Sequence, residues 1–303
     1  MKKTKKIYSG FDRLPKGQAG EKLTRGCLVI EGGAFRGIYN QGVLDTLMQQ
    51  DLNFDTVIGV SAGALAGMNY VSGQIGRSVR ANLAFRFYSD FIGLKAMRKS
   101  RSLIRLDFLL HDYNKVQPFN ARRFGRKAQR FIAVATNCQT GETMYFEKGK
   151  CRNIFNAAKA SASMPYISPM VDVDGIPCLD GGCSCKIPYE WALEQGFDNI
   201  VVVRTRERGY RKKNGKQRHP AEHLYRHHKA FARKLDQSDW EYNRECEELE
   251  RLEREGRIFM IAPSEKVTVG RLEKDLEKLG ALYRLGCEDT KKQLPALKAY
   301  LKR

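Results

Sequence analysis

No apolar run in this sequence approaches the ~18 residues that a membrane-spanning helix needs. Met1-Lys2-Lys3-Thr4-Lys5-Lys6 has the charge of a signal-peptide start, but the polar Ser9-Gly10-Phe11-Asp12-Arg13 follows where an apolar h-region belongs. Export is therefore not expected. Histidine is scarce, with five in 303 residues, and His219, His223, His227 and His228 share one Arg/Lys-rich polar stretch. Such a stretch is a poor setting for an oriented imidazole and reads more plainly as a solvated basic face. A standard zinc spacing is also missing. Cys178, Cys183 and Cys185 run as C-x₄-C-x-C, with Cys138 and Cys151 nearby, which matches no zinc motif, so no metal and no cofactor is expected. Eight cysteines without an export signal point to reduced thiols in a cytoplasm. No internal repeat is present.

Acidic residues are in short supply. Lys and Arg number 54 against 34 Asp and Glu, a net charge of +20. The excess is uneven: Lys95 to Arg130 holds 11 basic and 2 acidic residues, and Arg204 to Lys234 holds 12 and 2, whereas Asp239 to Gly256 holds 8 acidic and 3 basic. Such blocks suit an anionic partner surface. Nucleic acid is disfavoured, because the runs carry no recognisable binding motif and no aromatic stacking platform. A solvated face and an anionic lipid surface remain. Phe85, Phe87, Tyr88, Phe91, Ile92, Leu94 and Met97, just ahead of the first block, could form an apolar lip for peripheral contact with the inner face of a membrane.

What is present is a succession of short apolar runs and amphipathic stretches. Leu28-Val29-Ile30, Val57-Ile58-Gly59-Val60, Phe131 to Ala135, Ile200 to Val203 and Ile258 to Pro263 read as buried strands. Gly37 to Gln50, Ala62 to Tyr70, Asp239 to Glu255 and Val269 to Leu285 read as helices. Alternation of this kind predicts an α/β fold whose mainly parallel central sheet is covered on both faces, a three-layer sandwich. Residues 1–26 read as a loose basic arm, 27–204 as the core, and 205–303 as a helical, partly basic extension packed on it. Arg208 to Pro220 reads as a turn-rich basic loop.

Three motifs carry the chemistry. Gly59-Val60-Ser61-Ala62-Gly63 is a G-x-S-x-G serine between a strand and a small-residue helix, a frame that holds a hydroxyl up and exposed. Helix capping is its bland alternative. Gly32-Gly33-Ala34-Phe35-Arg36-Gly37 is a glycine-rich turn after a strand. It fits neither G-x-G-x-x-G nor G-x-x-x-x-G-K-[ST], and reads as a phosphate cradle or as an oxyanion hole built on the amides of Gly33 and Ala34. Arg36 could fix that loop or neutralise a lipid phosphate. Asp180-Gly181-Gly182 ends a hairpin turning at Asp174-Gly175, which explains Asp172 and Asp174 better than acid–base work does. Alone it would be a turn; alongside the other two motifs its carboxylate becomes a candidate base for the serine. A Ser–Asp–His order with one of the later histidines is the mechanistic rival.

Taken in order, these motifs resemble those of the patatin-like phospholipase family, in particular its bacterial cytoplasmic members: a G-G-G-x-[RK]-G loop, G-x-S-x-G, and D-G-[GA]. Ala160-Ser161-Ala162-Ser163-Met164-Pro165 resembles the family's A-S-x-A-x-P segment, and Ile187-Pro188 to Ala192 its P-x-x-x-A. The similarity runs from about Cys27 to Arg204. It implies a patatin-like α/β sandwich, a Ser61–Asp180 dyad, an oxyanion loop of Gly32, Gly33, Ala34, Arg36 and Gly37, an elbow held by Gly59 and Gly63, and metal-free hydrolysis of lipid acyl esters of the phospholipase A or lysophospholipase type. A dyad without histidine implies no loss of activity at histidine protonation near ~6.5. The third loop glycine of the family is Ala34 here, which a negative φ tolerates and a positive φ strains. A thioesterase or general esterase could use the same residues, and an inactive scaffold binding anionic lipid or a partner is the alternative of a different class.

Overall fold

The structure is a computed structural model and describes residues 7–213 and 220–303. In chain order its elements begin with β1 (Gly17–Gln18), β2 (Thr24–Ile30), α1 (Ile38–Gln49), β3 (Phe54–Val60), α2 (Ala62–Val71) and β4 (Gln74–Ile75). The helices α3 (Arg77–Phe85), α4 (Leu94–Ser100), α5 (Leu106–Leu110) and α6 (Ala121–Phe124) then lead to β5 (Arg130–Asn137) and β6 (Thr143–Glu147). Next come α7 (Ile154–Ser161), the hairpin β7 (Val171–Val173) and β8 (Ile176–Asp180), α8 (Tyr189–Glu194) and β9 (Ile200–Val203). The chain closes with α9 (Pro220–Leu224), α10 (Lys229–Arg254), β10 (Phe259–Ile261) and α11 (Leu276–Tyr300).

The eight-stranded sheet runs β10-β9-β2-β3-β5-β8-β7, with β6 also paired to β5. Its five strands from β10 to β5 are parallel. Side chains alternate along each of these strands, so both faces are apolar. Leu28, Ile30, Val57, Phe131, Ala133, Val201 and Val203 face one core with α1, α2, α7 and α11. Cys27, Val29, Ile58, Val60, Ile132, Val134, Ile200 and Val202 face the other with α8 and α10. This is the expected three-layer α/β sandwich with a mainly parallel central sheet.

Three sequence expectations need correction. The stretch read as a loose arm is strapped down from Ile7 onward: Tyr8 is 3% exposed and packs on Gly280 of α11, Leu14 and Ala19 are buried, and β1 pairs with β4. Three scattered apolar anchors do this, too few to stand out among basic residues; residues 1–6 lie outside the described residues. The last helix does not start at Val269. The Arg271 carbonyl accepts from Phe35 N, those of Leu272 and Glu273 accept from Arg86, and Asp275 caps the N-terminus of α11 by accepting from the amides of Glu277 and Lys278. The charged helix α10, in turn, begins ten residues before Asp239, with Phe231 and Ala232 already buried. Of the basic loop Arg208–Pro220, residues 214–219 lie outside the described residues. Before them, Arg208 pairs with Glu253, Arg211 with Glu250 and Lys212 with Asp239.

Candidate active site

Strand β3 ends at Val60 and the chain turns into α2 at Ser61, whose φ of 56° and ψ of −125° are rarely adopted by an L-residue. Crowding keeps the turn small. A Cβ on Gly63 would lie 2.5 Å from the Ile30 carbonyl oxygen, and one on Gly32 would lie 3.0 Å from Ser61 Cβ. Gly59 packs on the backbone of Gly63, and Gly37 on the Ala62 methyl group. The Ser61 amide is held from α7, donating to Ser161 Oγ at 2.9 Å.

Asp180 reaches the same place through sheet register. Along one edge, β5 pairs with β6 over Ile132–Thr136. Its other edge is shared: β3 occupies it as far as the Val60–Val134 pair, and β8 takes over one residue later with Asp180 opposite Ala135. Asp180 therefore stands where β3 would have continued, beside Ser61. Ser61 Oγ donates to Asp180 Oδ2 at 2.7 Å, and the Gly182 amide donates to Asp180 Oδ1 at 2.8 Å. The Asp180 backbone is fixed at both ends, its amide donating to the Ser163 carbonyl and its carbonyl accepting from Thr136 Oγ1. Both side chains are buried, Ser61 at 7% and Asp180 at 6% exposure. Burial pushes the Asp180 carboxyl up to about 6, against the opposing pull of the Ser61 and Gly182 hydrogen bonds.

The glycine loop sits over the same point. The amides of Gly33 and Ala34 donate to no acceptor among the described residues. Ala34 has φ 49°, the strained alternative of the two considered, at a cost of roughly 1–2 kcal/mol for a residue with a Cβ. The loop is braced from two remote segments. Buried Glu31 accepts from the Thr205 amide at 2.5 Å and from Tyr242 Oη of α10 at 3.0 Å, and Thr205 Oγ1 donates to the Gly32 carbonyl at 3.0 Å. Arg204, fully buried behind them, donates to Tyr242 Oη and Cys246 Sγ. Phe35 is pinned by the Arg271 carbonyl and by the Arg86 guanidinium, 4.5 Å from its ring centroid. Sequence reasoning missed this brace, and it missed the role of Ser161. Only the A-S-x-A-x-P resemblance pointed to Ser161; no local signal marks Glu31, Thr205 or Tyr242.

Two cavities open at Ser61. One, of about 100 Å³, is mainly apolar, lined by Leu65, Phe91, Leu106, Leu110, Phe119 and Met164 among others, with Asn69, Arg77 and Asn114 also on its wall. The second, of about 970 Å³, is a wide bowl of mixed polar and apolar lining that contains Arg36 and Asp180. Arg36 thus faces the bowl, with its Nε buried and without a hydrogen-bond partner. The described histidines line neither cavity, and His223 and His227 are exposed; His219 lies outside the described residues. All eight cysteines are free, and no group of three or more His, Cys, Asp or Glu residues among the described residues could hold a metal ion. The hairpin turn accounts for Asp172, which accepts from the Gly175 amide, and Asp174 accepts from the Arg152 amide. The expected apolar lip is split: Phe91 is buried and Phe85 packs on Phe108 and Tyr113, whereas Phe87, Tyr88 and Leu94 are exposed, Leu94 at 77%. A second set of exposed apolar side chains, Tyr166, Trp240 and Leu272, rims the bowl. No helix among the described residues is long and apolar enough to cross a membrane.

Fold and site together define an α/β chain with a serine on a tight strand-to-helix turn and a buried carboxylate bonded to it. The chain belongs to the patatin-like phospholipase family, whose sequence profile matches residues 28–193. Residues 228–302 match a second profile, a domain of unknown function (DUF6363). Among curated relatives, the uncharacterized protein YjjU of Escherichia coli is 32% identical over 183 residues, 59% of this chain and 51% of that protein. The uncharacterized NTE family protein Rv2565 of Mycobacterium tuberculosis is 27% identical over 201 residues, 64% of this chain and 32% of that protein. The chain thus aligns with about half or less of these relatives' length. Among solved structures, VipD from Legionella pneumophila is 13% identical with a TM-score of 0.46, covering 98% of this chain and 72% of that one.

Proposed function

We propose that this chain is a serine acyl hydrolase that cleaves acyl esters of lipids through a Ser61–Asp180 dyad. Ser61 Oγ attacks the ester carbonyl carbon while Asp180 takes its proton. The amides of Gly33 and Ala34 stabilise the developing oxyanion, and the alcohol leaves with the proton from Asp180. Water, activated by the same carboxylate, then releases the acyl group from Ser61. The observation that carries this reading is the 2.7 Å hydrogen bond from Ser61 Oγ to Asp180 Oδ2, made in a buried pocket with a carboxyl held near 6. Family membership supports a lipid substrate, and the apolar cavity at Ser61 suits an acyl chain. The test is labelling by a fluorophosphonate together with turnover of a short-chain p-nitrophenyl ester. Both should be present in the parent chain and absent from Ser61→Ala; normal turnover by that variant would sink the mechanism.

A second reading has one observation in its favour, the positive φ of Ala34 in the oxyanion loop. On that reading the chain is an inactive scaffold that binds anionic lipid, and the folded parent chain takes no fluorophosphonate.

A further inference from the structure

Ser61 stands where two cavities meet, and basic side chains gather in the larger one. We infer that the bowl binds a phosphate-ester anion and makes the preferred substrate a lipid with an anionic phosphodiester headgroup; this rests on the hydrolase reading above. Arg36, Lys186, Arg206, Lys212, Lys213 and Arg271 line the bowl, outnumbering its carboxylates Glu31, Asp180, Asp236 and Asp239. Two of those carboxylates are committed elsewhere, Glu31 to the loop brace and Asp180 to Ser61.

The cations are crowded and under-compensated. Lys186 and Lys212 are 14% and 13% exposed at the side chain and crowd around Asp239: Lys212 Nζ hydrogen-bonds it and Lys186 Nζ lies 3.8 Å from it, with Glu245, which accepts from the Lys186 amide, the other acid beside Lys186. Burial, then the neighbouring Lys186, brings Lys212 down to about 8. Burial, then Arg206, also lowers Arg36. Arg36 Nε and Arg206 Nε are buried without hydrogen-bond partners. A phosphodiester in the bowl would offer acceptors to the cationic groups that line it and relieve the repulsion among them.

Three of the four aromatic side chains of the bowl, Tyr166 excepted, argue against a choline headgroup. A quaternary ammonium needs open ring faces. Here Arg206 lies 4.4 Å from the Tyr210 centroid, Lys212 4.8 Å from that of Tyr242, and Arg244 5.0 Å from that of Trp240. The protein's own cations already occupy these rings. With the acyl chain in the apolar cavity and the ester at Ser61, the headgroup has one place to go, and it is positive.

The experiment uses dihexanoyl lipids as dispersed monomers, so that no surface effect contributes. Hydrolysis of dihexanoyl phosphatidylglycerol is compared with that of the phosphatidylcholine, both normalised to a headgroup-free p-nitrophenyl ester. We expect a preference of about tenfold for the glycerol headgroup. It should fall towards unity in Lys212→Gln/Arg271→Gln. Arg271→Gln alone, at an exposed position, is the variant that tests the site if the double variant does not fold. Equal rates on the two lipids, or a preference unchanged in the folded variants, overturns the inference. Calorimetry on Ser61→Ala, with dihexanoyl phosphatidylglycerol and with glycerol phosphate as titrants, reads the site without turnover. Binding of the lipid alone supports a lipid headgroup, and equal binding of glycerol phosphate supports a soluble phosphate ester at the same cations. Neither binding overturns the site. Failure of hydrolysis with binding intact counts against the dyad and not against the bowl.

Discussion

The base role proposed for Asp180 falls on a buried carboxylate, and its elevated proton affinity follows from that burial. At a carboxyl held near 6, activity should fall as pH drops through about 6. The sequence alone suggested an acid limb free of histidine's range; burial moves the carboxylate into that range. The limb should survive replacement of His219, His223, His227 and His228 by Gln, and its loss in those variants would return the histidine rival. The same shift has a stability sign. The folded chain holds the Asp180 proton more tightly than the unfolded chain does, so the contribution is fully present below the ordinary carboxyl range and is lost as pH rises through about 6. Asp180→Asn should therefore abolish turnover and yet raise stability at neutral pH by about 1–3 kcal/mol. A lower melting temperature at pH 7.5 than the parent's would contradict this. Ala34→Gly relieves a positive φ and should stabilise by about 1 kcal/mol with kcat unchanged or raised. A fall in kcat would mean that the alanine itself aligns the loop. At this scale Ser61, Asp180 and the loop were legible in the sequence, because each is marked by glycines within a few residues. The φ of Ala34 was not, since backbone torsion is decided by what presses on the loop.

Among the elements, α10 braces the glycine loop from the far side of the sheet, and it does so through one hydroxyl. Tyr242→Phe leaves Glu31 with the Thr205 amide and removes its second partner. The expected cost is about 1–3 kcal/mol of stability. Misaligned loop amides should lower kcat about tenfold with little change in KM. Unchanged kcat in a destabilised variant would confine the brace to folding. The strands β2, β3, β5, β9 and β10 were readable as short apolar runs, because strands buried on both faces have no polar alternation to confuse them, whereas β4 and β6 were not read. The beginning of α11 was not readable. Leu272, Leu276 and Leu279 are spaced as one helical face, but Leu272 is exposed and its carbonyl serves Arg86. A tertiary hydrogen bond overrode local periodicity there, as the three anchors of the N-terminal strap overrode local polarity.

At the scale of the molecule, the two matched profiles meet between residues 193 and 228, but the packing does not divide there. Helix α11 covers α1, with Gly286 against the Tyr39 carbonyl and Tyr283 Oη donating to buried Asp45, while α10 covers the opposite face of the sheet. A chain ending at residue 227 would lose Leu279, Leu282 and Tyr283, uncovering the α1 face that carries Tyr39 and Val43 on one side, and would expose the surface under Tyr242, Leu249 and Leu252 on the other. It is expected to be insoluble or to unfold without cooperativity. A soluble 1–227 fragment that unfolds cooperatively and takes a fluorophosphonate would show the first 227 residues to be independent.

The shared edge of β5 has a consequence for how such a site can vary. The gap between Ser61 and Asp180 is counted in hydrogen-bonded rungs, because β3 and β8 are successive tenants of one strand. Slipping β8 by one residue would turn the carboxylate to the far side of the sheet; slipping it by two would carry it about 7 Å away. The dyad can be assembled or absent, with no graded positions between. Substitutions in the walls of the bowl and the smaller cavity can reshape them without touching this register, and the ladder keeps Ser61 Oγ and Asp180 Oδ2 in step.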